Sequence, residues 1–215
     1  MNKKTSLELI RACKDMISGG LVAGTWGNAS IRVADGMIVT PSGMPYDSLN
    51  VSDIVLLDMS GRVKLGFRSP STESPLHLEI YRNRPDVHAI MHTHSIYACA
   101  LAVSRINLPV ILEEQAQLVG GKVPVTDYAP AGSQELARAA SQTLGEGGAV
   151  LLANHGLVGV GKDIKEALLV CQIAEKACHV YIMSQSVGTP FCLDDKDVFS
   201  LRQAFSKGYG QNIKE

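Results

Sequence analysis

Two imidazoles two residues apart close a short apolar run, where Val87 to Met91 leads into His92-Thr93-His94-Ser95. In a β-strand, residues i and i+2 point to the same face, so a strand over Val87 to Thr93 lets His92 and His94 aim at one point in space. That makes a bidentate clamp for a metal ion, provided the rest of the chain supplies a third ligand, a base and a place for a substrate. The same pair is also compatible with ordinary polar residues at a strand end.

A third ligand is offered by Asn154-His155-Gly156, which follows the buried-strand pattern Ala149 to Ala153 and precedes a second strand, Leu157 to Val160. An imidazole in such a tight turn, flanked by glycine, can be presented without crowding from its neighbours. Three histidine nitrogens with one position left open is the donor pattern of a catalytic zinc site. His88 shares the strand face but lies at its far end, roughly 13 Å from His92 at ~3.3 Å rise per residue. It reads as structural or surface, as do His77 and His179 within helices.

Around these residues the spacing predicts alternating elements. Thr5-Ser6-Leu7-Glu8 reads as a capping box for a first helix carrying Leu7, Ile10, Cys13 and Ile17, ended by Gly19-Gly20. Strands Ile31 to Val33 and Met37 to Thr40 flank an Asp35-Gly36 hairpin signal, and Ile54 to Leu57 and the Ser60-Gly61 turn extend an antiparallel meander. Helices follow at Ser74 to Asn83, Ile96 to Val103, Ser133 to Leu144, about Ile164 to Ser184, and about Asp194 to Ser206. An apolar segment Leu108 to Leu112 and a short strand Val123 to Val125 bracket the less regular Glu113 to Gln117. Nothing divides the chain, and residues 1–215 read as a single domain.

Composition narrows the function classes. The 215 residues are 46% hydrophobic and 19% charged with a formal net charge of −1, which supplies no basic field for nucleic acid and no disordered profile. Cys13, Cys99, Cys171, Cys178 and Cys192 are scattered and form no C-x-x-C pair, arguing against a disulfide framework and a cysteine zinc site. No stretch approaches the ~18 apolar residues of a membrane span. The expectation is a soluble, cytoplasmic protein acting on a small molecule.

Glu73 closes the polar loop Ser69-Pro70-Ser71-Thr72 and opens a helix, a position equally suited to a plain helix-start carboxylate and to a base beside a metal. Three loops, Gly27-Asn28-Ala29-Ser30, Ser42-Gly43 and Ser71-Thr72, offer backbone N–H groups and hydroxyls with little bulk, the chemistry of a phosphate cradle.

Taken in order, Gly24-Thr25-x-Gly27-Asn28-x-Ser30, Thr40-Pro41-Ser42-Gly43-x-Pro45-Tyr46, Pro70-Ser71-Thr72-Glu73, His92-x-His94 and Asn154-His155-Gly156 resemble the class II aldolase and adducin-head superfamily. The likeness is greatest to its fuculose-phosphate aldolase branch and spans nearly the whole chain. It implies an α/β fold of the α+β type, a three-layer α/β/α arrangement with a central, mostly antiparallel sheet flanked by helices on both faces. It also implies a homotetramer with active sites between subunits. His92, His94 and His155 would bind one zinc per subunit, or another divalent metal. Glu73 would be the base, and Gly27, Asn28, Ser42, Gly43, Ser71 and Thr72 would hold the phosphate of a sugar phosphate. Tyr209 matches a C-terminal tyrosine that acts on the aldehyde. At the place where the branch brings a tyrosine from a neighbouring subunit, this chain has Glu113, which adds charge and points to a different aldehyde or reaction. The implied activity is metal-dependent, reversible cleavage of a ketose 1-phosphate to dihydroxyacetone phosphate and a short aldehyde. Pentulose-phosphate 4-epimerisation, keto-acid phosphate decarboxylation and a non-catalytic adducin-head-like module are the alternatives.

Overall fold

A computed structural model describes residues 2–208. Its centre is one seven-stranded sheet in the order β4-β3-β2-β1-β5-β7-β6, with β1 Asn28–Val33, β2 Gly36–Val39, β3 Val55–Leu57, β4 Val63–Leu65, β5 Ala89–Thr93, β6 Ala149–Leu152 and β7 Gly156–Gly161. Every neighbouring pair of strands is antiparallel. The expected meander forms the first half. β5 then lies between β1 and β7, so its two ladders fix the histidine strand on both sides.

Side-chain alternation along the strands divides the interior into two cores, one on each face of the sheet. One face carries Ala29, Ile38, Met91, Leu151 and Leu157 and is covered by helices α1 (Lys3–Ser18), α3 (Ile96–Ser104) and α5 (Ile164–Val187). The other carries Val39, Leu57, Ile90, Val150 and Val158 under α2 (Ser74–Asn83) and α4 (Gln134–Leu144). This is the expected three-layer α/β/α arrangement. Each fully buried Leu, Ile or Met contributes roughly 1.5–3 kcal/mol, so the central strands are the strongest part of the fold.

Helix α1 starts earlier than its expected capping box. Asn2 takes the cap, its side chain accepting from Lys4 N at 2.9 Å. The buried face is Leu9, Ile10, Cys13 and Met16, whereas Leu7 is 49% exposed, one step round the helix from the expected stripe. The segments Leu108 to Leu112 and Val123 to Val125 are not strands. They make single bridges, Leu108↔Val123 and Val125↔Leu151, because Pro109 and Pro124 lack the N–H groups that would extend a ladder. Between them Gln115–Val119 forms a π-helical turn. The buried Gln115 side chain holds this corner, accepting from Ile111 N at 3.2 Å and donating to Pro109 O at 3.0 Å. A last helix, α6 (Asp195–Ser206), is capped by Asp194.

Candidate active site

Strand register assembles the site. Asn28 pairs with His92 across β1 and β5, and Thr93 pairs with Leu157 across β5 and β7, so the β6–β7 turn carrying His155 lies beside the end of the histidine strand. Gly156 is required there. A Cβ would meet Thr93 O at 2.2 Å, His92 Cε1 at 3.1 Å and His94 Cδ2 at 3.2 Å. Asn154 completes the turn in a left-handed conformation, φ 56°, with its side-chain oxygen accepting from the Arg105 guanidinium.

The three imidazoles converge through their Nε2 atoms, His92 to His94 at 2.9 Å and His92 to His155 at 3.3 Å. The His92 Nδ1 lies 3.0 Å from the Leu157 carbonyl, which can only accept. A ring proton therefore sits on Nδ1, and whenever the ring is neutral the Nε2 lone pair faces the other two rings. Glu73 enters from the start of α2. Its carboxylate makes no helix-capping bond and turns instead to the histidines, with Oε2 3.2 Å from His92 Nε2 and Oε1 3.4 Å from His155 Nε2. Glu73 therefore lies beside the histidines instead of capping the helix with its side chain. Asn28 donates from Nδ2 to Glu73 Oε2 at 2.8 Å, giving that asparagine a carboxylate-orienting contact in addition to its place in the glycine-rich loop.

The donor set fits a divalent metal. Ligand atoms of Glu73, His92, His94 and His155 all lie within 4.8 Å of one another, and the buried Glu73 Oε1 makes no hydrogen bond. Lone pairs and a carboxylate so placed repel each other unless a cation sits among them. The titration behaviour without an ion agrees. Burial alone would raise the Glu73 carboxyl, but the charge and hydrogen bond of His92, with His155 and Asn28, hold it below the ordinary carboxylate range. Burial opposes charging of His92, but Glu73 outweighs it and raises that group. Burial, then the charge of His92, pushes His94 down to about 3 and His155 down to about 4, so both are neutral donors at neutral pH.

Next to Glu73 and His155 opens a cavity of about 210 Å³ lined by Gly27, Asn28, Ser42, Gly43, Ser71 and Thr72 together with Thr25, Trp26, Pro41 and Ala131. All six residues expected at the phosphate meet here. The two serine loops are stapled by the Pro41↔Pro70 bridge, with Ser42 N donating to Ser69 O at 2.9 Å and Ser71 N to Thr40 O at 3.0 Å. Gly27 and Gly43 have φ of 76° and 67°, the left-handed backbone from which anion-binding nests are made. Among the described residues no lysine or arginine lines this cavity, so an anion there would be held by neutral donors from these residues.

Glu113 lies elsewhere, exposed on the segment before the π-helical turn and outside both the histidine cluster and the cavity lining. Its neighbour Glu114 pairs with Lys176. Tyr209 lies outside the described residues. Of the other histidines, His88 is exposed and His179 stacks on Tyr97 at 3.8 Å. His77 is fully buried, with Nδ1 2.6 Å from Ser30 Oγ, which is in turn 2.8 Å from the Tyr81 hydroxyl.

Two contributors escaped the sequence reading. Glu175 on α5 accepts from Tyr97 N at 2.9 Å and Ala98 N at 2.8 Å, clamping the N-terminus of α3 directly after His94-Ser95. Trp26 places its ring 5.6 Å from that of His94. A carboxylate mid-helix and an aromatic residue in a loop carry no local signal for either role.

Residues 7–182 match the family model described as the class II aldolase and adducin N-terminal domain. The chain belongs to this family. The aldolase-family chain is 32% identical over 213 residues to the L-fuculose phosphate aldolase of Escherichia coli strain K12, covering 99% of this chain and 98% of the relative. It is 37% identical over 211 residues to the 5-deoxy-D-ribulose 1-phosphate aldolase of Bacillus thuringiensis serovar kurstaki, covering 97% and 98%. Among solved structures, an L-fuculose 1-phosphate aldolase superposes with a TM-score of 0.93 at 33% identity, covering 96% of this chain and 98% of that one. Class II aldolases are metal-dependent, and in this aldolase-family chain Glu73 and the three histidines are a cluster able to hold a metal.

Proposed function

We propose that the chain, acting as one domain over residues 1–215, catalyses reversible aldol cleavage of a ketose 1-phosphate into dihydroxyacetone phosphate and a short aldehyde. The carrying observation is the Glu73 carboxylate set among three convergent imidazoles beside a neutral phosphate cradle. Zinc is the proposed metal, held by His92, His94 and His155. When bound it would supply Lewis-acid polarisation of the substrate carbonyl and stabilise the negative charge that builds on its oxygen, plausibly several kcal/mol of barrier.

The chain's own groups do the rest. Gly27, Asn28, Ser42, Gly43, Ser71 and Thr72 bind the phosphate and so fix the carbon chain relative to Glu73. In the aldol direction Glu73 takes the proton from the carbon beside the carbonyl. In cleavage the bond between the third and fourth carbons breaks, its electron pair stays on the third carbon, and Glu73 returns a proton there. Asn28, donating to Oε2, orients the carboxylate and leaves Oε1 for proton transfer.

Cleavage also needs a group to remove the hydroxyl proton as the aldehyde leaves. Glu113 and Tyr209 are assigned to the aldehyde side, contributed to a neighbour's site in a homotetramer. This reading is supported by the exposure of Glu113 in one chain and by large apolar residues on its surface, Ile96 at 73%, Val187 at 88% and Phe191 at 95% exposed. A cytoplasmic location is proposed with it; the five cysteines are free, and no helix among the described residues is long and apolar enough to cross a membrane.

A screen of fuculose, rhamnulose, ribulose and 5-deoxypentulose 1-phosphates, read by release of dihydroxyacetone phosphate, tests the reading. Release is expected for at least one, lost on chelation and regained on adding zinc. Full activity in metal-free protein, or an epimer or carbon dioxide as the sole product, would overturn it.

A further inference from the structure

Trp26 is the sole tryptophan of the chain and is 66% exposed, although it lines the cavity beside Glu73 and lies against a proposed metal ligand. Its ring centroid is 5.6 Å from that of His94, with the planes 33° apart. An indole left in water at this position is unexplained by packing, because the loop that carries it needs no help from the side chain.

That loop is anchored through its backbone. Trp26 N donates to Ala23 O at 3.3 Å, and the buried Tyr46 hydroxyl donates to Gly27 O at 2.6 Å. Gly27 packs so closely on the histidine strand that a Cβ would meet His92 O at 2.6 Å and the Val22 side chain at 2.8 Å. The backbone under Trp26 is thus fixed relative to the histidines, while its exposed ring lines the cavity and lies beside His94. An apolar surface held in place and uncovered at a polar site is a contact surface for something that arrives.

We infer that Trp26 is a substrate-contacting specificity residue, whose indole covers the carbon chain of the bound ketose phosphate between the phosphate cradle and the metal cluster. The inference rests on the aldolase reading above and adds a selection rule to it. An aromatic face carries negative charge density, so it packs well on a neutral C–H chain and poorly on an anionic one. The residue therefore favours phosphates whose adjoining carbons are uncharged over those carrying a carboxylate at that place.

Intrinsic fluorescence tests this directly, since all tryptophan emission comes from the one residue. Titrating the zinc-loaded protein with dihydroxyacetone phosphate is expected to shift the emission to the blue with saturation, and inorganic phosphate, which has no carbon chain, to shift it less. Trp26→Ala is expected to raise KM for the cleaved ketose 1-phosphate about tenfold, to change kcat less, and to weaken the preference for dihydroxyacetone phosphate over phosphoglycolate, which carries a carboxylate beside the phosphate-bearing carbon. Trp26→Phe should restore most of KM, and zinc stoichiometry and the melting temperature of both variants should match the parent. If calorimetry shows dihydroxyacetone phosphate bound and cleavage proceeds, but emission and the KM of Trp26→Ala stay put, the role of Trp26 falls and the aldolase reading stands. Absence of both binding and cleavage overturns the aldolase reading and this inference with it.

Discussion

The corner where β5, the β6–β7 turn and the start of α2 meet differs sharply from the segment around Glu113. In the first, Glu73 and His92 are buried, each has a defined partner, and Gly156 leaves room for two imidazoles. In the second, Glu113 is exposed beside a π-helical turn and touches neither the cluster nor the cavity. The contrast separates two tasks. In the proposed mechanism, charge handling at the carbonyl needs desolvated, preorganised groups, and the candidates for it lie inside one chain. In the proposed mechanism the choice of aldehyde falls to groups on the surface, where substitution leaves the core undisturbed.

The hardest test of that division is Glu73→Gln. It keeps the shape and the Asn28 contact but removes the proposed base, so kcat is expected to fall about 10²- to 10⁴-fold with zinc stoichiometry retained. Unchanged kcat would place the base elsewhere.

Acid sensitivity should also originate in the buried corner. Burial pushes His77 down to about 3 from an ordinary 6.5. Between those values the unfolded chain binds a proton that the folded chain refuses, so stability rises with pH across this window and is lost as pH falls through it. At pH 4.5 the loss is about 3 kcal/mol relative to pH 7 from this residue. Denaturant midpoints should show a shallower pH slope in His77→Gln, and an identical slope would acquit His77.

Glu175→Ala removes two charge-assisted bonds to the start of α3 and is expected to cost about 1–3 kcal/mol in stability. It should also weaken zinc binding, because the clamped turn carries His94; isothermal titration with zinc would reveal unaltered affinity if the clamp is purely structural.

The smallest structural effect belongs to Glu113→Tyr. Being exposed, it should shift stability by no more than about 0.5 kcal/mol and leave zinc content alone, while altering the ranking of aldehydes in the condensation direction. An unchanged ranking would remove Glu113 from the aldehyde side.

Much of this architecture was readable locally. Helix α2 spans Ser74–Asn83 as the flanking polar loop and Pro85 predict, and the Asp35-Gly36 signal marks the β1–β2 turn, with Ala34 and Asp35 in the turn and Gly36 opening β2. The cap of α1 was misplaced because Asn2 competes with Thr5 for the same role, and only the packed face, Leu9 to Met16, decides which wins. The short strand expected at Val123 to Val125 is reduced to single bridges because a hydrophobic run does not reveal that its proline cannot donate.

What the sequence alone determined is therefore what short-range geometry dictates. A two-residue period puts His92 and His94 on one face, and a glycine-bounded turn presents His155. Tertiary structure decided the rest. Asn28 reaches Glu73 across 45 residues, and Glu175 reaches Tyr97 across 78. The placement of β5 between β1 and β7 turned a helix-start glutamate into a partner of three histidines. The physical reason is that local propensity fixes the direction of a side chain, whereas the group it meets depends on which strands lie next to each other.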